Sequence, residues 1–215
     1  MDLIEVITTR RSIRAFEKAV PPRKLIEECL AAATWAPSAT NRQPWEFVVL
    51  TGAALDELNE INRENFALRM NAQAAFGDPP EPLRSRQQAI MDTLLRVAAE
   101  DGIVPGEVFE RSLRFFDAPV AVYFVTYKSD DEQYLLSIAA AIDNFLLAAH
   151  ARGLGTCWLA VTIICREDVK RHLKIGDDKE LVAGVALGYP KAGCRLNSFE
   201  RNREPVANIT RWLGF

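Results

Sequence analysis

The sequence predicts an α+β fold over one domain, residues 1–215, with helices layered on a sheet. Short apolar runs of strand length recur at Phe47-Val48-Val49-Leu50, at 118–125 and at 181–187. The stretches between strands read as pairs of helices rather than single ones, which argues against a doubly wound parallel sheet. Residues 134–151 make a helical pattern that is apolar almost all round, as in a core or a subunit interface.

Each element has a local cause. Residues 2–9 form a short helix with Leu3, Ile4, Val6 and Ile7 on one side. Pro21-Pro22 opens a second helix through Leu25, Ile26, Cys29, Leu30 and Ala33, stopped near Pro37. Residues 46–50 are a strand closed by Thr51-Gly52. From 53 to 116 the chain is mostly helical. It breaks at Gly77-Asp78-Pro79-Pro80-Glu81-Pro82, where clustered prolines forbid helix; the break is a loop over a site or a plain connector. Pro119 stands at the start of a central strand, where proline is tolerated. Asp143-Asn144 is the polar interruption of helix 134–151. Residues 153–160 lead into another strand, 165–173 form a short helix, and strand 181–187 ends at Gly188-Tyr189-Pro190. Residues 206–213 add one more strand or turn. There is no internal repeat and no low-complexity tract.

Composition excludes several classes. A net charge of -3 argues against a general nucleic-acid binder. His150 and His172 cannot form a His-rich metal site alone, and Cys29, Cys157, Cys165 and Cys194 lack C-x-x-C spacing, so no metal is expected. Four scattered thiols behind an amino terminus without an h-region point to a reducing compartment, and a cytoplasmic protein is expected. No apolar run approaches the ~18 residues of a membrane span, so no membrane partner is expected.

Gly153-Leu154-Gly155 begins like a dinucleotide fingerprint, but Trp158 stands where the third glycine belongs and a helix precedes it. There is no Walker motif, no Gly-x-Ser-x-Gly elbow and no Cys–His pair close in sequence. The polar candidates lie elsewhere. Arg10, Arg14, Arg201 and Arg203 carry guanidinium forks suited to phosphate or carboxylate, and Ser12 adds a hydroxyl; a solvated basic surface is the alternative. Ser38, Asn41 and Gln43, on the proline-bracketed segment 37–45, suit the polar edge of a heterocycle; a turn with capping residues is the alternative. Together these pieces look like a pocket for a flat polar ring carrying a phosphate. The stretch Trp158-Leu159-Ala160-Val161 offers backbone N–H groups but no acid or base.

In chain order, Arg10-Arg11-Ser12-Ile13-Arg14, the segment from Ala36-Pro37-Ser38-Ala39-Thr40-Asn41-Arg42-Gln43-Pro44-Trp45 to Phe47, Gly153-Leu154-Gly155-Thr156-Cys157-Trp158, and Leu187-Gly188-Tyr189-Pro190 with an Arg201-Asn202-Arg203-Glu204-Pro205 tail resemble the FMN-dependent nitroreductase family. Residues 94–116 with Ala118-Pro119 resemble its nitrobenzoate-reductase branch. The resemblance implies a central, mostly antiparallel sheet flanked by helices in an interlocked homodimer, with FMN at the interface. It places Arg10, Arg11, Ser12 and Arg14 at the phosphate, ribityl chain and N1 side of the ring, with Arg201 and Arg203 at the phosphate. Pro37, Ser38, Ala39 and Asn41 would come from the other subunit, Ala160 and Val161 would present backbone N–H groups near N5 and O4, and Gln43 and Leu159 would also contact the cofactor. Some members carry Glu at the position of Ala160 and Lys at that of Arg14. NADH or NADPH would be the donor and a nitroaromatic, quinone or similar small ring the acceptor. The chemistry would lie at flavin N5, with no side chain as essential acid or base. A non-catalytic FMN module, and dehalogenation, enoate chemistry or flavin fragmentation on the same fold, are the alternatives.

Overall fold

The structure is a computed structural model and describes residues 1–69 and 79–214. Four strands, β1 (Glu46–Thr51), β2 (Val120–Tyr127), β3 (Gly155–Leu159) and β4 (Lys179–Gly188), form one sheet in the order β1-β2-β4-β3. All three pairings are antiparallel. The helices are α1 (Leu3–Thr9), α2 (Arg23–Ala33), α3 (Ala53–Arg69), α4 (Glu81–Glu100), α5 (Pro105–Leu113), α6 (Gln133–Ala151), α7 (Arg166–His172) and α8 (Val206–Ile209).

The expected pairing of helices between strands does not hold. Among the described residues three α-helices separate β1 from β2, and single α-helices, α6 and α7, stand in the next two gaps. The α+β reading survives because every strand pair is antiparallel.

β2 sits inside the sheet and is buried on both faces. Val120, Val122 and Phe124 point to one side with α2 and α6; Ala121 and Tyr123 point to the other, with α3, α4, α5 and α7. A strand covered on both sides has no solvent face to mark with polar residues, so it reads as a continuous apolar run. Removing Phe124, packed edge-on between Phe47 and Phe145 at 5.3 and 5.5 Å, would cost about 3–5 kcal/mol.

α6 presses Ile138, Ile142 and Phe145, all fully buried, onto β2 and α2. Asn144 donates to the Ala32 carbonyl of α2 at 3.4 Å, and Asp143 is exposed. Contrary to expectation, α6 is long and apolar enough to meet the length and composition of a membrane span. Its apolarity is that of a helix packed on a sheet, with Leu135 and Leu136 left outward.

The expected amino-terminal helix forms as α1; only its Val6 is buried, while Leu3, Ile4 and Ile7 are exposed. Two other local readings change. The tail reading of strand or turn gives way to the short helix α8. Pro82 lies in the first turn of α4, where its missing N–H leaves no helical bond unmade. Gly77 and Asp78 of that break lie outside the described residues.

Candidate functional site

The site is built where the two ends of the chain meet on an edge strand. Beyond α1 the backbone runs beside β3, with Ser12 bridged in parallel to Thr156 and Ile13 N–H donating to the Thr156 carbonyl at 2.8 Å. Gly155 makes this approach possible, because a Cβ there would sit 2.7 Å from Ile13 Cγ1. Asn197 then clasps the segment. Its Oδ1 accepts from the N–H groups of Arg14 and Ala15 at 2.8 and 3.1 Å, and its Nδ2 donates to the Ala15 carbonyl at 2.8 Å. Two arginines lace the ends reciprocally: Arg11 Nη1 donates to the Phe199 carbonyl at 2.6 Å and Arg201 Nη2 to the Arg10 carbonyl at 2.8 Å.

The result is a cavity of about 580 Å³ whose lining includes Arg10, Ser12, Arg14, Arg201 and Arg203, with Arg86, Ala89, Ile90 and Thr93 of α4. Arg86 is ion-paired with Glu204 at 3.0 Å. Arg201 is half-buried. Its Nε is buried with no hydrogen-bond partner. Burial first, then the charges of Arg11, Arg203, Arg10 and Arg14, push its pKa down to about 10. Guanidinium groups gathered this closely, one with an unspent buried donor, form a receptor for a multivalent oxyanion such as a phosphate. The donor set therefore fits a phosphate-bearing cofactor.

Cys157, whose thiol meets Ser12, is buried, and burial pushes its thiol pKa up against the lowering effect of Arg14 and Ser12. At the end of α1, His150 Nε2 lies 2.9 Å from Thr9 Oγ1, and burial followed by the Arg10 charge lowers its pKa.

The remaining predicted residues do not line this cavity. Residues 37–43 form a tight loop by α6. Gln43 N–H donates to Ser38 Oγ at 3.0 Å, and Arg42 pairs with Asp131 at 2.8 Å and lies over the Tyr134 ring. Thr40, Asn41 and Gln43 all hold left-handed backbone, with φ of 51°, 57° and 48°. Such strain in non-glycine residues costs of order 1–3 kcal/mol each and clusters at functional loops. Pro37, Asn41 and Gln43 are exposed, while Ser38 and Ala39 are half-buried. Leu159 is buried opposite Gly184, Ala160 is exposed at the end of β3, and Val161 begins a helical turn. At about 3.3 Å per residue, Ala160 stands roughly 13 Å along the strand from Thr156.

The family model for the nitroreductase family matches residues 7–189. The chain belongs to the nitroreductase family. A 4-nitrobenzoate reductase of Pseudomonas putida is 30% identical over 225 residues, an alignment covering 100% of this chain and 96% of that relative. Among solved structures, the FMN- and NADPH-dependent nitroreductase NfnB from Sphigopyxis sp. strain HMH superposes with a TM-score of 0.90 at 23% identity, covering all of both chains. The FMN-dependent NfnB of Mycobacterium smegmatis, solved with NADPH, gives 0.85 at 24% identity over 98% of this chain and 97% of that one.

Within this nitroreductase-family chain, three contributors escaped the sequence reading. Asn197 looks like any tail residue, and its role follows from bonds to residues more than 180 positions away. Phe199 supplies a carbonyl to Arg11 and lines the cavity. Arg86 sits in a stretch read only as mostly helical. Arg11, conversely, is spent on the tail and does not line the cavity.

Proposed function

We propose that this nitroreductase-family chain is an FMN-dependent oxidoreductase that transfers two electrons from NADH or NADPH to a nitroaromatic, quinone or similar electron-poor ring, the donor leaving before the acceptor binds. The observation that carries the reading is the arginine-lined cavity with the buried, unpartnered Nε of Arg201. Support comes from the relatives' names: 4-nitrobenzoate reductase for one, FMN- and NADPH-dependent nitroreductase for another.

Arg10, Ser12, Arg14, Arg201 and Arg203 would hold the phosphate, the ribityl chain and the N1 side of the ring. Arg11 would act indirectly, by fixing the tail that carries Arg201. Leu159, Ala160 and Val161 would offer backbone groups along the continuation of β3. The 37–43 loop of a second copy, with Pro37, Ser38, Ala39, Asn41 and Gln43, would complete the site. A homodimer is supported by the exposed apolar residues on α1 (Leu3, Ile4, Ile7), on α6 (Leu135, Leu136) and in the tail (Val206, Ile209, Trp212, Leu213). Free cysteines at all four positions fit a reducing compartment, and we place the protein in the cytoplasm.

When bound, FMN would supply the redox chemistry, accepting a hydride at N5 and passing the electron pair to the acceptor. The protein's part is position and electrostatics: a fixed guanidinium at Arg14 offsets negative charge on an electron-rich ring, in a setting where it is screened less than in water. The test is direct. Purified protein should take up FMN, bleach anaerobically with NADH or NADPH, and recover its yellow colour with a nitroaromatic or quinone. Protein that takes up FMN but is bleached by neither nicotinamide would overturn the proposed donor. Protein that takes up no FMN would overturn the whole reading.

A further inference from the structure

We infer that Phe116 and Phe199 clamp the Arg14 guanidinium between their rings and so set where its charge lies in the cavity. This rests on the reading that the cavity takes FMN. The Arg14 guanidinium carbon lies 5.9 Å from the Phe116 ring centroid and 5.8 Å from that of Phe199. Both distances are within the range of a cation–π contact, and a planar guanidinium stacks on ring faces where an ammonium does not. The rest of the side chain and its backbone are also held. Nη1 donates to the Ser12 carbonyl at 3.3 Å, and the Arg14 N–H is fixed by Asn197 Oδ1 at 2.8 Å.

The two rings arrive by different routes. Phe199 is half-buried, lines the cavity, and is tied to the amino-terminal segment through its carbonyl and Arg11. Phe116 is buried and sits in an unusual turn: Phe115, Phe116 and Asp117 hold φ of 53°, 55° and 56° in succession. Successive left-handed L-residues are disfavoured by Cβ–carbonyl crowding. Entry into β2 alone does not call for them. The turn sends the Phe115 ring edge-on against Tyr123 at 5.6 Å and the Phe116 ring to Arg14. Tyr123 thus anchors a strained turn whose product is a ring beside a cavity cation. Phe116 and Phe199 are positioning residues, acting through Arg14.

The experiment uses the FMN-loaded full chain and measures FMN affinity and the two-electron midpoint potential of the bound flavin. Variants are Phe116→Leu, Phe199→Leu, Phe199→Tyr and Arg14→Met, with each Leu change also made in the Arg14→Met background. Each Leu change should weaken FMN about two- to fivefold. It should also lower the potential, because the reduced ring loses more than the oxidised one; a further fivefold loss on the reduced form alone is about 20 mV, at about 30 mV per tenfold. Phe199→Tyr should keep both values, and the Leu changes should add nothing in the Arg14→Met background. Should Phe116→Leu fail to fold, Phe199, partly exposed, carries the test alone. Equal losses with Arg14 in place and with Arg14→Met, or an unmoved potential, would show packing only and overturn the clamp while leaving the cofactor assignment intact. A wild-type chain that takes up no FMN would overturn both.

Discussion

Replacing Arg201 with Gln should separate stability from cofactor affinity. Without ligand, the Arg201 guanidinium is held near Arg10, Arg11, Arg14 and Arg203, with its Nε buried and unpartnered. Its folded pKa, about 10, lies below the ordinary arginine value. A base with a depressed folded pKa binds fewer protons folded than unfolded between those two values. Its linked stability is therefore present above the upper value and lost as pH falls through the lower one, so at neutral pH the ligand-free fold carries the whole penalty. The substitution removes that repulsion and also removes the 2.8 Å bond from Nη2 to the Arg10 carbonyl, a bond of a type worth about 1.5–3 kcal/mol. The two effects oppose, and the ligand-free Tm should move by no more than about 4 °C. Affinity has no such offset. Losing one charge-assisted contact to phosphate should weaken FMN about ten- to hundredfold. Arg203→Ala should match that loss with an unchanged Tm, because Arg203 is exposed and its described bond is to the neighbouring Asn202 carbonyl. Thermal melts of the apoprotein and fluorescence titrations with FMN measure both quantities. An Arg201→Gln protein that melts more than about 10 °C lower yet binds FMN normally would make Arg201 a structural lace and refute the reasoning.

Three other outcomes follow from the geometry. Gly155→Ala should cost roughly 1–3 kcal/mol by driving Ile13 off β3, and it should weaken FMN; adding Ile13→Ala should restore much of both losses, and equal melts for single variant and wild type would disprove the close approach. With the folded pKa of His150 held below 6.5, its linked stability should be complete above about pH 6.5 and fall as pH drops toward the folded value; His150→Gln should flatten that acid limb, and an identical limb would exclude His150 as its source. Leu136→Glu, on the outward side of α6, should disrupt the proposed homodimer; sedimentation of the wild-type chain as a stable folded monomer at micromolar concentration would defeat that proposal.

Most of the fold was legible because strand and helix are written in local periods. The apolar run of β2 announced a strand covered on both faces, and Pro21-Pro22 announced the start of α2. The amino acids of the site were legible for a related reason: adjacent arginines, a serine and a proline-bracketed amide loop are chemically distinctive wherever they land. The sequence alone therefore determined the elements and the kinds of groups available to a ligand. It did not determine which groups share a cavity. That Asn197 would clasp the backbone at Arg14, that Arg11 would turn to the tail while Arg201 turned to Arg10, and that α4 would supply a wall, depended on contacts between residues up to 191 positions apart. The apolar side of α1 was legible but its exposure was not, because an apolar stripe does not say whether the surface it packs on is in the same chain. Local periodicity reflects what each residue asks of its immediate neighbours; the antiparallel order β1-β2-β4-β3, the meeting of the two ends and the strained turn at Phe116 arise only when the whole sheet is assembled and distant segments compete for the same edge.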